Sequence, residues 1–99
     1  MSDPEAIFED GFERAVELGN RLADADPEAD LWDVADGVLA GAIQYWLYAH
    51  QPCDDPKCED CAPMNTAYAR MTELQRLVRQ FAEDSEYYHA PSDTNVGRA

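Results

Sequence analysis

Ninety-nine residues set the scale of one small domain, and 21 acidic against 7 basic side chains give it a net charge of −14. So acidic a chain lacks the basic face on which broad electrostatic binding to nucleic acid, or to an anionic membrane surface, depends. The longest uncharged run, Gly37 to Ala49, is 13 residues, short of the roughly 20 that a spanning helix needs.

The N-terminus is acidic and polar, without the basic start and apolar centre of a signal peptide, so an intracellular protein or one packaged in a particle is expected. Asp3-Pro4-Glu5 reads as a helix start: aspartate caps, proline takes the first turn, and glutamate faces the positive end of the dipole. Phe8, Phe12, Ala15, Val16, Leu18 and Leu22 then recur at helical spacing. Gly11 and Gly19 lie on or near that face, either to admit another backbone or as tolerated exposed glycines.

Asp26-Pro27-Glu28 repeats the start signal, which predicts a second helix from there to about His50. Leu31, Ala35, Val38, Ala42, Tyr45 and Ala49 form one stripe on it; Trp32, Leu39, Ile43, Trp46 and His50 form another. The two stripes are adjacent, the second broken by Asp36, and the remaining side is small or neutral beyond Asp33, with Gly37, Ala40, Gly41 and Gln44. A helix that is apolar or small nearly all round is expected to be buried. Two neighbouring helices can hardly cover it, so part of it is expected to meet another chain.

Pro52 ends that helix and Pro56 stiffens the loop behind it; a third helix is predicted to start at Pro63 or Asn65 and to stop before Pro91. Its stripe is Met64, Ala67, Met71, Leu74, Val78 and Phe81, widened by Tyr68 and Leu77. That stepping suits core packing or an antiparallel seam. The reading is an all-α, three-helix bundle over residues 1–89, followed by a polar tail over 90–99 that is disordered unless a partner holds it.

All three cysteines and one of the two histidines fall between the second and third helices, as His50, Cys53, Cys58 and Cys61, an H-x2-C-x4-C-x2-C spacing over twelve residues. Thiolates and a neutral imidazole are the donors of tetrahedral zinc. Four protein ligands leave no open position, so the site is read as structural, stapling the end of one helix to the start of the next. The ligands are local, and closing the site costs little chain entropy. An odd cysteine count leaves one thiol over in any disulfide scheme, which favours the reduced, metal-bound state. The C-x4-C-x2-C spacing also occurs in plant-type ferredoxins, but the distant fourth cysteine they need is missing. A three-cysteine site with a water, served by Asp54, Asp55, Glu59 or Asp60 as base, is the catalytic variant, and it has no organised pocket behind it. Glu59 and Asp60 between Cys58 and Cys61 disfavour a reactive redox thiolate.

Two further patterns weigh less. Glu86-Tyr-Tyr-His89 has the E-x-x-H form used in di-iron bundles, but stands alone at a helix end. Arg70, Arg76 and Arg79 put three of the seven basic residues on the third helix. They would be the readers if the chain were a nucleic-acid-binding transcriptional regulator, although ion pairing with Glu73 and Glu83 is the plainer use. No Gly-rich phosphate loop, nucleophile elbow or serine–histidine–acid arrangement is found, and a non-enzyme is expected.

Twelve aspartates against nine glutamates, with Lys57 the only lysine, give the balance that keeps proteins hydrated in multimolar salt. With His50, Cys53, Cys58 and Cys61, this composition resembles the small zinc-finger-like proteins of haloarchaea and their tailed viruses. The resemblance implies a structural metal and an adaptor-like or regulatory role, in a haloarchaeal cytoplasm or in a virus particle. The expected partners are a protein or further copies of the chain, met through the second helix and the C-terminal tail, with neither nucleic acid nor membrane.

Overall fold

The structure, a computed structural model, describes residues 3–55 and 57–93. Three α-helices and one short 3₁₀ turn carry the chain, and no strand occurs among the described residues. The fold is therefore all-α, as expected. The chain divides into two compact units, Met1–Ala49 and His50–Ala99.

The first unit is a helical hairpin. Helix α1 spans Pro4–Ala25 and begins as its sequence dictates. The Asp3 carboxylate accepts from the Glu5 N–H at 3.0 Å, and the Asp3 carbonyl takes the first helical bond from Ile7 at 3.0 Å. On its outer surface Asp10 pairs with Arg14 at 2.9 Å, and Glu17 pairs with Arg21, each one turn apart. Exposed pairs of this kind contribute a few tenths of a kcal/mol at most.

Helix α2 spans Leu31–Ala49 and starts later than Asp26-Pro27-Glu28 suggests. The reason is local. The Asp26 carboxylate accepts from the Glu28 N–H at 3.1 Å and its carbonyl accepts from Ala29 at 3.0 Å, which closes a turn. Asp30 then caps instead: its carboxylate takes the Trp32 N–H at 2.8 Å and its carbonyl takes Val34 at 3.1 Å. Two aspartates compete to start the helix, and the one directly ahead of the apolar run wins.

Helices α1 and α2 pack against each other. The half-buried positions nearest their connection are Gly19 and Ala23 on α1, and Val34 and Val38 on α2. No residue of either helix is fully buried. The burial expected for α2 is thus not supplied by α1: Leu31, Trp32, Leu39, Tyr45 and Tyr48 all stand exposed. A Cβ added at Gly11, Gly19, Gly37 or Gly41 would meet nothing within 4 Å among the described residues, so the two helices of the hairpin do not approach each other closely at these glycines.

The second unit is the cysteine-bearing loop, a 3₁₀ turn over Ala62–Met64, and helix α3 over Ala67–Asp84. Helix α3 starts neither at Pro63 nor at Asn65, because Thr66 provides the cap. Its hydroxyl accepts from the Ala69 N–H at 3.0 Å, and its carbonyl takes Arg70 at 3.0 Å. Thr66→Ala is expected to cost about 1 kcal/mol, read as a lower midpoint in urea unfolding with unchanged slope. On α3, Leu74 is the one buried residue among those described, with Arg70, Glu73 and Leu77 half-buried around it.

Helix α3 also ends earlier than Pro91 suggests. Ser85 is extended, its N–H bonds back to the Ala82 carbonyl at 3.2 Å, and its hydroxyl accepts from the Tyr87 N–H at 3.1 Å. A serine offering its own turn bond stops the helix six residues before the proline. The tail expected over 90–99 lies outside the described residues from position 94 onward. Its described part is a turn in which the Ala90 N–H meets the Asp93 carboxylate at 2.9 Å.

Candidate metal centre

The loop between α2 and α3 brings the three cysteines together. The Sγ atoms of Cys53, Cys58 and Cys61 all lie within 4.8 Å of one another. Ligands at about 2.3 Å from a tetrahedral centre are about 3.8 Å apart, so a small inward movement closes the three sulfurs on one ion. This set of donors fits a thiophilic metal. His50 is half-buried at the start of the same unit, and its ring nitrogens do not belong to the converging group.

Short-range backbone bonds make the arrangement. The Asp55 carboxylate accepts from the Lys57 N–H at 2.9 Å, and the Asp55 carbonyl accepts from the Cys58 N–H at 3.1 Å. This tight turn carries Cys58 back towards Cys53, whose thiol points at the same Asp55 carbonyl at 3.9 Å. Pro56, expected to stiffen this loop, lies outside the described residues. Past Cys58, the Ala62 N–H bonds to the Glu59 carbonyl at 3.3 Å, which turns Cys61 to the same side. The Cys61 carbonyl then accepts from Met64 at 2.8 Å and starts the 3₁₀ turn. Arg70 reaches back from α3 and donates to the Met64 carbonyl at 2.7 Å, tying the helix to this turn.

The electrostatics within the cluster are uneven. The Cys61 N–H, followed by the neighbouring thiols, holds the Cys58 thiol below its ordinary range. At Cys61 the Cys53 N–H, 3.3 Å from the sulfur, pulls the thiol down; hydrogen sharing with Cys53 and Cys58 and partial desolvation outweigh it and leave Cys61 raised. Three sulfurs this close resist carrying three negative charges unless a cation sits among them. Backbone N–H groups aimed at sulfur are the usual outer support of a metal-bound thiolate.

The other candidate residues are placed elsewhere. Arg76 is held by Glu73, with its Nε at 2.7 Å, and also reaches Gln80; Arg79 lies 3.9 Å from Glu83; Arg70 is spent on the Met64 carbonyl. Arg76 and Arg79 therefore have the acidic partners that ion pairing anticipates, whereas Arg70 meets a backbone carbonyl. Glu86 and His89 fall beyond the end of α3, so they do not share a helical face, and the His89 ring instead meets the edge of Tyr88 at 4.8 Å. Sequence reasoning treated Asp55 only as an acidic neighbour of the cysteines. The Asp-Pro pair was the available sign of its turn-forming role. No described helix is long and apolar enough to cross a membrane.

No family model, curated protein or solved structure matches this chain.

Proposed function

We propose that this is a small, non-enzymatic helical protein, clamped by a structural zinc ion, that works through protein–protein contact. It serves as a self-associating adaptor or as a minor component of a larger assembly such as a virus particle. The observation that carries this reading is the amount of large apolar side chain left exposed on the helices, from Phe8 and Phe12 to Trp32, Tyr45 and Tyr48. Surfaces of this kind mark interaction sites more often than solvated faces.

Zinc is the ion that suits three thiolates with an imidazole, and His50 is the fourth ligand in this reading. It precedes Cys53 by three residues, at the edge of the same loop. Zinc closure also draws the loop ends together, and the finer arrangement proposed for the three helices is a bundle. The Asp-rich, Lys-poor composition supports a high-salt cytoplasm, cellular or viral in origin, as the place of work. In such salt, at about 2 M, screening acts within about 3 Å, so contacts must be apolar rather than charged.

Light scattering at micromolar concentration, in low salt and in about 2 M salt, tests the contact reading together with affinity capture. An oligomer, or a stoichiometric complex with one partner, is expected. A monomer that takes no partner in either condition would remove the reading.

A further inference from the structure

We propose that Arg70 is a positioning residue for the metal centre, and that it couples ion binding at Cys61 to the first turns of α3. The inference rests on the reading of the loop as a metal clamp and adds to it a residue from outside the loop.

The 3₁₀ turn behind Cys61 is weak by itself. Turns of this type have poorer hydrogen-bond geometry than an α-helix. The Met64 N–H meets the Cys61 carbonyl at 2.8 Å, but the Asn65 N–H reaches the Ala62 carbonyl only at 3.4 Å. The Cys61 side chain makes no capping bond to the turn, and Pro63 in its middle has no N–H to add. Thr66 is extended and caps α3, so one hydrogen-bonded piece stops before the next begins. A joint of this kind is held by side chains.

Arg70 spans that joint. From a part-buried position its Nη1 donates to the Met64 carbonyl, six residues back, at 2.7 Å. Met64 is thereby gripped twice: its N–H by the Cys61 carbonyl, its own carbonyl by Arg70. A hydrogen bond from a charged donor is roughly twice as strong as a neutral one. The choice of partner points the same way. The chain offers 21 carboxylates, and on the same helix Arg76 and Arg79 pair with Glu73 and Glu83. Arg70 is instead spent on a backbone carbonyl three residues past a sulfur donor. Groups that hold metal ligands in place from outside contribute about 10–100-fold in metal affinity. Coupling between sites is reciprocal, so an ion that fixes Cys61 steadies the start of α3 by the same factor.

Zinc affinity of the full reduced chain, measured by competition with a chromophoric chelator, tests the proposal, with cobalt(II) as the spectroscopic probe. Arg70→Met is expected to weaken zinc binding about 10-fold while keeping the native thiolate-to-cobalt absorption band, because all three sulfurs remain. Arg70→Lys, which keeps a cationic donor, is expected to recover part of the loss. Arg76→Met, which removes an exposed pair on the same helix, is expected to stay within about 2-fold of the native affinity. A folded Arg70→Met that binds zinc like the native chain overturns the positioning role and leaves the clamp standing. An equal loss in Arg76→Met marks a general effect of helix stability and also overturns it. A native chain that binds no zinc removes both readings. Should Arg70→Met lose its helicity by circular dichroism, hydrogen exchange of the native chain with and without zinc decides. Slower exchange is then expected at the Ala69 and Arg70 amides as well as at Cys58 and Ala62, and slowing confined to the loop overturns the coupling.

Discussion

Cys58→Ser is expected to abolish stoichiometric zinc binding and to make the protein's thermal midpoint indifferent to chelator. Structural zinc sites supply about 10–16 kcal/mol of apparent binding energy at neutral pH, or about 3 kcal/mol for each of four ligands. Losing one thiolate therefore weakens binding about 100-fold at the least. Isothermal titration with zinc, and melting with and without chelator, read both effects. A variant that melts like the native chain in zinc and in chelator alike would show that the loop is held by its backbone turns alone. His50→Ala is the graded counterpart: an affinity loss of about 10–100-fold assigns His50 to the ion, and no change leaves the three cysteines as the complete protein donor set.

The second large effect is expected at Leu74. It is the one buried residue among those described, at 8% exposure, with Arg70 and Leu77 half-buried one turn to either side. Leu→Ala substitutions in cores cost about 2–5 kcal/mol, and a site with this much exposed surface nearby should collapse readily and fall at the low end. For a chain of this length, a loss of about 2–3 kcal/mol lowers the thermal midpoint by about 10–20 °C. Leu39→Ala, at a position 54% exposed, removes the same atoms from a different setting. At low protein concentration it should cost clearly less than Leu74→Ala, about 1 kcal/mol or below, because much less burial is lost there. Its effect should grow as the concentration rises into the range where a partner covers it. Thermal melts of both variants at two concentrations check the contrast.

The parts of the fold legible from the residues were those set by local chemistry. Asp3-Pro4-Glu5 started α1 where it should, because nothing nearby offered an alternative cap. The helical spacing of Met71, Leu74 and Val78 placed α3 correctly in type, and the cysteine spacing placed the sulfurs in one cluster. The errors arose where two local solutions competed. Asp26 and Asp30 both could begin α2, and Asp26 was used for a turn. Thr66 took the cap that Pro63 and Asn65 seemed to offer, and Ser85 stopped α3 ahead of Pro91. Periodicity cannot separate such rivals, since each satisfies the same orphan N–H groups or carbonyls.

The candidate site was legible in its sulfur donors and less so in its support. Three cysteines at short spacing announce a cluster that could hold a metal ion, but the role of Asp55 depends on a turn that brings Cys58 back towards Cys53. The apolar circumference of α2 was read as a sign of burial. Within the hairpin no residue of α2 is buried, and Leu31, Trp32, Leu39, Tyr45 and Tyr48 stand exposed.

Native mass spectrometry of the purified chain, combined with elemental analysis, tests the central claim most directly. The account predicts one zinc per chain, in a dimer or a larger species, with the metal lost from Cys58→Ser. A metal-free monomer with three free thiols would contradict it.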